Sequence, residues 1–582
     1  MKDTSILDDV VFQIRNHVEF LYPDGEHQPL VNELVQVMRL NEECHKVQPH
    51  QNLWDESDIA VITYGDTVQQ EGEKPLLTLH KFLNTHLKDH ISIVHILPFF
   101  PWSSDDGFSV INYAVVNDAL GDWTYVRSIA RDYKLMSDLV INHCSSRSLW
   151  FENFMLGKEP GKGYFYTTEP DADISQVVRP RTNDLLRPVE TPDGIQYVWC
   201  TFSHDQVDLD FSNPQVLLEF CKIVRLYLDQ GITIFRLDAI AFLWKEPGSN
   251  CLNLPQTHEV VRLLRTLIQH VEPRAIIITE TNIPNQENLS YFGNTNEAHW
   301  IYNFSLPPLL LNTLVSGNCK YLNNWMMGMP PARHGTTYFN FMASHDGIGL
   351  RPAEGILTDD EVDTLISTME QFGGKISRRS LTNGESRPYE INISLFDAMK
   401  GTTSGPDQFQ QARFICAHAI MLALEGVPAF YVHSLLGTEN DYHRVEHTGH
   451  NRHINRHYWQ LPELNEALAD SGRHHLEVLK ALKNLIGIRS KQPAFHPNAI
   501  QFTLHVSEQV FAFWRHSMDR TQCIFVLNNI SDQPQEVHLS RINLVNTEEW
   551  MDLISGNTFQ DHHDSIILQP YQTLWLSNQQ HM

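Results

Sequence analysis

Long apolar runs that end in polar side chains recur along this chain, and they predict buried parallel strands. Four of them are Asp138-Leu-Val-Ile-Asn-His143, Phe235-Arg-Leu-Asp238, Ile276-Ile-Ile-Thr-Glu280 and Phe341-Met-Ala-Ser-His345-Asp346. Runs of Val, Ile, Leu and Phe without alternation are typical of strands buried on both faces of a parallel sheet. Four further runs supply the remaining strands: Ile59–Tyr64, Ile93–Leu97, one near Phe304, and Gly426–Tyr431. The pattern predicts an α/β fold, a (β/α)₈ TIM barrel.

Two long gaps between these strands predict inserted subdomains, because ordinary helix-and-loop crossovers are much shorter. The first insertion is placed at about 145–211 and the second at about 347–409. Their expected elements are short strands at Gly161–Tyr166 and Tyr197–Phe202 in the first insertion, and a helix over Asp359–Phe372 and a loop over Ser380–Glu390 in the second. Long loops in a compact domain are usually functional, so both insertions are expected to border the active site.

The two ends of the chain have periodicities that differ from that of the barrel. From about Ser5 to Val47 apolar residues recur at helical spacing, so residues 1–54 are predicted to form a helical extension packed on the barrel. The catalytic barrel is placed at 55–491. Beyond it the alternation has a period of two, which predicts an antiparallel β domain over 492–582.

Composition excludes several classes of partner. The 582 residues include 43 basic and 70 acidic side chains, and the net charge of −27 argues against binding nucleic acid or an anionic membrane. The eight cysteines show no C-x-x-C spacing, which favours neither a zinc site nor a disulfide framework. The sequence shows neither a signal peptide nor an apolar stretch long enough to span a bilayer. We therefore expect a cytoplasmic monomer or homodimer that acts on small molecules.

The carboxylates at the strand ends are suited to glycoside chemistry. A retaining glycosidase needs one nucleophilic carboxylate and one that donates a proton. Arg236 precedes Asp238 by two residues, so both side chains point to the same face, and the guanidinium would keep the carboxylate ionised. Glu280 ends a run of three isoleucines, and apolar surroundings raise a carboxyl pKa toward the value that proton donation requires. The alternatives are a structural Arg–Asp pair and a salt-bridged Glu at the rim of the barrel.

These four segments resemble the signature regions of the α-amylase superfamily of retaining glycosidases and transglycosylases. Further segments resemble its sucrose phosphorylase branch: Leu97–Phe108, Gln206–Asp210, Lys245–Gly248, His345–Gly349 and Asn451–His457. Within that branch, Trp54–Asp58 and Ser434–Asp441 are most similar to the glucosylglycerate phosphorylase subgroup. The resemblance implies catalysis without a metal or other cofactor, with inorganic phosphate as a co-substrate.

The resemblance also implies roles for individual side chains. Asp238 would be the nucleophile, Glu280 the general acid/base, and Asp346 a stabiliser of the transition state. The implied glucose-binding residues are Asp105, Phe108, His143, Arg236, His345 and Arg452. Asp105 and Arg452 would form a pair that closes the blind end around one glucosyl unit. The implied acceptor and phosphate site consists of Arg181, Phe242, Arg387, Tyr389 and Glu390.

The acceptor positions separate this chain from the sucrose phosphorylases. Phe242 stands where those enzymes carry a Tyr, and Glu390 where they carry a Gln. Phosphate must approach active-site carboxylates and therefore needs a cation, for which Arg181 and Arg387 are the candidates, because an arginine fork matches phosphate geometry. Both arginines are equally consistent with solvated surface.

The expected reaction is a double displacement through a β-glucosyl-aspartate. It would convert glucosylglycerate and phosphate into α-D-glucose 1-phosphate and glycerate. Phosphorolysis of glucosylglycerol, sucrose or sucrose 6'-phosphate is an alternative, as is an α-glucoside hydrolase or transglucosidase. A third alternative is a catalytically inactive barrel that serves as a binding subunit, which the intact Asp238, Glu280 and Asp346 disfavour.

Overall fold

Eight parallel strands close into a barrel and confirm the predicted fold class. The computed structural model describes residues 4–380, 386–542, 550–559 and 565–578. The barrel strands are β1 (Ala60–Thr63), β2 (Ile93–Ile96), β3 (Lys134–Val140), β4 (Ile232–Asp238), β5 (Ile276–Thr279), β6 (Trp300–Tyr302), β7 (Thr337–Phe341) and β8 (Val427–Tyr431). Each strand pairs with its neighbours in chain order, and β8 pairs with β1. The strands form because nearly every side chain in them is buried on one face or the other.

An outer layer of helices covers the barrel. Its main members are Pro75–His86, Trp123–Asp132, Pro214–Asp229, Pro255–Val271, Leu306–Ser316, Gln410–Ala423 and His474–Arg489. Several of these helices begin with proline, which suits the first helical turn because its missing N–H would be unpaired there. Among the helices that the structure describes, none is both long enough and apolar enough to cross a membrane.

The first insertion contains small antiparallel sheets around one helix. Its elements are His143–Ser145 paired with Gln206–Asp208, the helix Leu149–Leu156, and a sheet of Thr167–Thr168, Leu186–Thr191 and Gly194–Trp199. The predicted strand at Tyr197–Phe202 overlaps the last of these. The prediction of a strand at Gly161–Tyr166 is wrong, because this segment is mostly turn and forms only an isolated bridge between Phe165 and Leu209.

The second insertion is a helix followed by a hairpin. The helix Asp359–Gln371 agrees with the prediction and begins with a reciprocal cap between Thr358 and Glu361. The described ends of the predicted loop are strand instead, since Lys375–Ser380 pairs with Ser386–Asn392, and the latter also pairs with Ile348–Gly349. Positions 381–385 of the predicted loop lie outside the described residues. We call these two longer strands the acceptor hairpin.

Two helices form the N-terminal extension, Thr4–Leu21 and His27–Val37. They pack on the outer barrel helices, and His17 forms an ion pair of 2.6 Å with Glu259. Farther along the chain, the indole N–H of Trp54 donates to Asn498 over 2.7 Å, and its ring meets Trp300 edge to face. The extension is therefore packed against the barrel, as its helical periodicity predicted.

The C-terminal part is antiparallel sheet, as the period of two predicted. Its larger sheet has the order Ile500–Ser507, Val510–His516, Cys523–Asn529, Thr573–Ser577, Trp550–Asp552 and Thr558–Phe559. A second pair joins Gln535–His538 to Ser565–Leu568. Buried Arg515 attaches the sheet to the barrel by donating to the carbonyl oxygen of Ala423 over 2.6 Å.

Candidate active site

The carboxyl end of β4 brings Arg236 and Asp238 together. Nη1 of Arg236 donates to Oδ1 of Asp238 over 2.7 Å, and it also forms a hydrogen bond with the carboxylate of Asp138 on β3. Asp138 accepts a further hydrogen bond of 2.8 Å from His95. Arg236 and Asp138 are almost fully buried. A second, buried carboxylate therefore holds the guanidinium in place against Asp238.

Glu280 lies directly after β5, next to Asp238. Its Oε2 accepts a hydrogen bond of 3.0 Å from the backbone N–H of Ala239, and its Oε1 lies 3.9 Å from Nη2 of Arg236. Ala239 has φ of +50°, a left-handed conformation that is unfavourable for a residue with a Cβ. The strained residue that follows Asp238 therefore fixes Glu280 beside it.

The proton between these two carboxyls has a preferred position. Burial raises the pKa of Asp238 and of Glu280, Arg236 opposes the rise, and nearby carboxylates add to it. Two such groups lose their protons as a pair, in two separate steps. Asp238 receives a 2.7 Å hydrogen bond from Arg236, whereas Glu280 stays 3.9 Å from that guanidinium. The proton therefore belongs on Glu280, which suits Asp238 to attack and Glu280 to donate.

Asp346, which follows β7, lies among cations. Nη1 of Arg452 is 2.6 Å from Oδ1 of Asp346, and Arg452 also donates two hydrogen bonds of 2.8 and 2.9 Å to Glu390. Burial opposes ionisation, but the charge of Arg452, aided by that of Arg456, more than compensates and holds the pKa of Asp346 well below its usual range. Asp346 is therefore an anion throughout the physiological pH range, in contrast to Glu280.

One carboxylate, Asp205, anchors the loop that carries Asp105 and Phe108. It accepts hydrogen bonds from the hydroxyls of Ser103 (2.5 Å), Ser104 (2.5 Å), Ser146 (2.7 Å) and Ser109 (3.0 Å). Asp105 has φ of +54°, and at Gly107, with φ of +112°, a Cβ would lie 2.8 Å from the carbonyl oxygen of Pro98. The anchor therefore maintains a strained turn at the pocket.

The predicted partner of Asp105 has other contacts. Arg452 forms its ion pairs with Asp346 and Glu390, while Asp105 accepts a hydrogen bond of 3.0 Å from Gln206. Asp105 and Arg452 both line the catalytic pocket, and both also line a larger groove beyond it. The two residues thus form a wall at the end of the pocket where the glucosyl unit is expected, without pairing directly. Glu390, expected at the acceptor, is instead a partner of Arg452.

Two histidines and Phe108 complete the glucose side. Nε2 of His143 donates to the carbonyl oxygen of Phe108 over 2.9 Å, and burial lowers the pKa of this histidine. Burial also lowers the pKa of His345 to about 3. The His345 ring stacks on Phe108 with centroids 5.0 Å apart. Both histidines are neutral at neutral pH and can form hydrogen bonds with sugar hydroxyls without adding charge.

The acceptor side combines residues from both insertions. The guanidinium carbon of Arg181 lies 5.7 Å from the ring centre of Phe202 and 5.6 Å from that of Tyr389. Phe242, just after β4, meets Phe202 edge to face at 5.5 Å. Arg181 donates to the carbonyl oxygen of Pro180 over 3.3 Å. The two aromatic rings therefore position a cation whose other N–H groups suit an anion.

The structure places another arginine where Arg387 was expected. Arg387 lies on the acceptor hairpin opposite Arg379, where its side chain is exposed and outside the residues that line the pocket. Arg351, which the sequence analysis missed, is only 9% exposed and lines the pocket. Gln206 and Asn282 also line it and were missed. The second insertion therefore does contribute an arginine, from a different position.

All three carboxylates and most of the other expected side chains border one pocket, whereas Arg236, Arg387 and Glu390 are not among the residues that line it. Asp238, Glu280, Asp346, Arg181, Phe242 and Tyr389 line it, together with the glucose-side residues Asp105, Phe108, His143, His345 and Arg452. Within the described ranges, no cluster of three or more His, Cys, Asp or Glu could hold a metal ion. An ionised carboxylate beside a protonated carboxyl, with a third carboxylate held ionised, is an arrangement that suits glycosyl transfer with retention.

Comparisons with known families agree with this geometry. Residues 87–347 match the family described as "Alpha amylase, catalytic domain", and residues 500–575 match "Maltogenic Amylase, C-terminal domain". A solved sucrose 6F-phosphate phosphorylase from Thermoanaerobacter thermosaccharolyticum has a TM-score of 0.71 at 22% identity, covering 88% of this chain and 98% of its own. That likeness supports the barrel fold.

Relatives of similar length indicate which branch of the family the chain belongs to. The chain is 41% identical to the glucosylglycerate phosphorylase of Allomeiothermus silvanus, over 97% of this chain and 98% of the relative. It is 39% identical to the glucosylglycerate phosphorylase of Escherichia coli, over 94% and 96%. It is 27% identical to the sucrose phosphorylase of Streptococcus mutans, over 75% and 88%. The chain therefore belongs to the α-amylase superfamily, as an enzyme of its glucoside phosphorylase branch.

Proposed function

We propose that this enzyme is a retaining phosphorylase that converts glucosylglycerate and phosphate into α-D-glucose 1-phosphate and glycerate. The observation that carries the proposal is a cation, Arg181, on the acceptor side of a pocket that already contains three catalytic carboxylates. Within the described parts of the chain, no carboxylate lies within 4.0 Å of this guanidinium. Such a cation suits an anionic co-substrate, and relatives named glucosylglycerate phosphorylase are similar over nearly the whole length.

In the first step, a carboxylate oxygen of Asp238 attacks the anomeric carbon of the glucosyl unit. Glu280 donates its proton to the departing glycerate oxygen as the bond from that carbon breaks. The product of this step is a β-glucosyl-aspartate. Arg236 lowers the barrier by keeping Asp238 ionised and oriented, and Asp346 stabilises the positive charge that develops on the sugar ring.

In the second step, a phosphate oxygen attacks the same carbon from the opposite face. The bond to Asp238 breaks, and the ionised Glu280 accepts a proton from phosphate. Two inversions give α-D-glucose 1-phosphate with net retention. Arg181 offsets the repulsion between phosphate and the carboxylates, because an arginine fork donates two parallel hydrogen bonds to an oxyanion.

Glycerate is the acceptor that this pocket favours over neutral alternatives. Like phosphate it is a small anion, and the two occupy the space beside the glucosyl carbon in turn. Phe242 and Phe202 give that space an apolar wall, and Arg181 gives it charge. A neutral glycerol or fructose would leave the cation without a partner, and an unpaired cation in a partly dry pocket is costly.

The test is an acceptor panel run in the synthetic direction. Enzyme and α-D-glucose 1-phosphate are mixed with glycerate, glycerol, fructose or fructose 6-phosphate, and phosphate release is measured. Glycerate is expected to give the fastest release and an α-linked product. Equal release with and without any acceptor would instead indicate a hydrolase, and fastest release with fructose would indicate a sucrose phosphorylase.

A further inference from the structure

We propose that Arg351 is the residue that binds the carboxylate of the acceptor, and that it makes the enzyme select an acidic acceptor over a neutral one. This role rests on the proposed function and adds to it a specific contact. Arg351 lies five positions after Asp346, in the short 3-10 helix Arg351–Ala353 at the start of the second insertion. Its side chain borders the same pocket as the catalytic carboxylates.

Arg351 is a buried cation without an anionic partner. The residue is 9% exposed, and its Nε is buried with no hydrogen-bond partner. Throughout the described part of the chain, no carboxylate oxygen lies within 4.0 Å of its guanidinium. Two arginines beside the catalytic carboxylates do have such partners: Arg236 has Asp138 and Asp238, and Arg452 has Asp346 and Glu390.

The surroundings of Arg351 favour the arrival of an anion. Burial lowers the pKa of Arg351 and the neighbouring cation Arg379 lowers it further, while Tyr389, Glu354 and Glu287, none of them within ion-pair distance, oppose the shift. Arg379 forms an ion pair of 2.9 Å with Glu354, so that glutamate is already engaged. Desolvating a guanidinium without pairing it is costly, and a ligand carboxylate that accepts its N–H groups would recover that cost on binding.

The backbone around Arg351 is fixed, so the charge is preorganised. The N–H of Leu350 donates to the carbonyl oxygen of Tyr389 over 3.0 Å, which ties the turn to the acceptor hairpin. The hydroxyl of Ser305 donates to the carbonyl oxygen of Pro352 over 3.0 Å. At Gly349 a Cβ would lie 2.8 Å from the Asn282 side chain, so the turn packs tightly against that residue. A positioned cation loses little freedom when it binds an acceptor.

Asn282 provides a second group that fits a hydroxy acid. It lines the pocket, and its side-chain oxygen is buried without a hydrogen-bond partner. A hydroxyl donor on the acceptor would satisfy this oxygen. Glycerate offers both groups on one small molecule, a carboxylate for Arg351 and a free hydroxyl for Asn282, whereas glycerol offers only hydroxyls.

The experiment removes phosphate from the assay so that only acceptor binding is measured. The full-length enzyme is given α-D-glucosyl fluoride, which forms the glucosyl enzyme without phosphate. Glycerate and glycerol then compete for the intermediate, and the two glucosides are quantified. For Arg351→Gln we expect the glycerate-to-glycerol product ratio to fall tenfold to a hundredfold, the usual effect of losing a charge-assisted hydrogen bond. Both products come from the same glucosyl enzyme, so a change in the overall rate of fluoride release does not alter this ratio.

Matched variants make the result decisive. Arg127→Gln removes the same charge from an exposed position on an outer helix and is expected to leave the ratio unchanged. Arg351→Lys keeps the charge without the fork and should shift the ratio less than glutamine does. If Arg351→Gln does not fold, an unchanged glycerate-to-glycerol product ratio in Arg351→Lys would overturn the role of Arg351 in acceptor selection. A selective loss in Arg387→Gln, with none in Arg351→Gln, would also overturn it.

The outcomes separate this role from the proposed function. A wild-type enzyme that prefers glycerol to glycerate overturns the proposed acceptor, and the role of Arg351 with it. A wild-type enzyme that prefers glycerate, with an Arg351→Gln variant that loses both acceptors equally, overturns only the role of Arg351. In that case Arg351 stabilises the structure of the pocket and does not discriminate between charged and neutral acceptors.

Discussion

At the scale of single residues, the chemistry depends on which of two buried carboxyls keeps its proton. Asp238 receives the hydrogen bond of Arg236 and is the one that ionises. We expect Asp238→Asn to lose at least about a thousandfold in kcat, as the loss of a covalent nucleophile does. Single-turnover measurements with α-D-glucose 1-phosphate test this expectation. Turnover close to that of the wild type would show that another group forms the covalent bond.

Glu280 has a separate test that reports stereochemistry. In Glu280→Ala the glucosyl enzyme still forms from an activated donor, and azide, which needs no deprotonation, should attack it. Because the intermediate is β-linked, attack from the opposite face gives α-glucosyl azide, which proton NMR identifies. A β-glucosyl azide would reverse the assignment of Asp238 and Glu280.

The raised pKa of Glu280 predicts how the rate depends on pH. Donor cleavage needs Glu280 protonated and Asp238 ionised, so the alkaline fall in kcat/KM should report the pKa of Glu280 and the acid fall that of Asp238. The upward shift extends the active range toward higher pH. With α-D-glucosyl fluoride, whose leaving group needs no proton, the alkaline fall in fluoride release should weaken or disappear. An identical alkaline limb with both donors would contradict the role of Glu280 as acid.

At the scale of elements, the acceptor hairpin reaches across to the glucose side through Glu390. This residue holds Arg452 with two hydrogen bonds, and Arg452 in turn contacts Asp346. We expect Glu390→Gln to raise KM for the glucosyl donor by about tenfold, because one charge-assisted contact is lost. The ratio of glycerate to glycerol transfer should stay constant. Initial rates over a range of donor concentrations measure the first effect.

A control variant and an opposite outcome complete this test. Glu370→Gln removes a carboxylate from the exposed face of the helix in the same insertion and should leave KM unchanged. A Glu390→Gln variant with normal donor KM but altered acceptor choice would restore the acceptor role that the sequence analysis expected.

The same elements show what the sequence could predict. Strands buried on both faces have no polar positions to interrupt them, so β4 was predicted with its C-terminal end at Asp238. The part of the acceptor hairpin within Ser380–Glu390 was predicted as a loop because it carries Arg, Ser and Pro and is partly solvent-exposed. One of its strands also pairs with Ile348–Gly349, which is distant in sequence.

Residues of the site could be predicted where a sequence motif lies at the end of a strand, and less well elsewhere. The three carboxylates follow apolar strands, whereas Arg351 lies in a turn that has no strand pattern. Its closeness to Asp346, after two glycines and before a proline, was the available signal. The contact of Glu390 with Arg452 joins segments far apart in the chain, and no local pattern encodes such a pair.

At the scale of the whole molecule, Glu425 lies where the barrel meets the C-terminal sheet. Its carboxylate accepts a hydrogen bond of 2.7 Å from Ala332, and its backbone N–H donates to Gln501 over 2.8 Å. Burial raises the pKa of Glu425 to about 7. The pKa of Glu425 is higher in the folded state than in the unfolded chain, so protonation of Glu425 stabilises the fold. This contribution to the free energy of unfolding is fully present below the usual pKa range of Glu and is lost as the pH rises through 7.

The corresponding variant is Glu425→Gln, which stays neutral at every pH. We expect it to raise Tm at pH 8 relative to the wild type and to have little effect at pH 5, as measured by calorimetry. Glu536→Gln, at an exposed position in the C-terminal part, should change neither value. A stabilisation of the same size at both pH values would mean that Glu425 does not titrate on folding.

The link from Glu390 through Arg452 to Asp346 also bears on how such enzymes diversify. A mutation at Glu390 that alters the acceptor would disturb the donor at the same time, so selection would tend to remove it. Substitutions outside this link, for example at Phe242 or Arg351, should disturb the binding of the donor less. We expect libraries that randomise those positions, with Glu390 held constant, to yield new acceptor specificities far more often than libraries directed at Glu390.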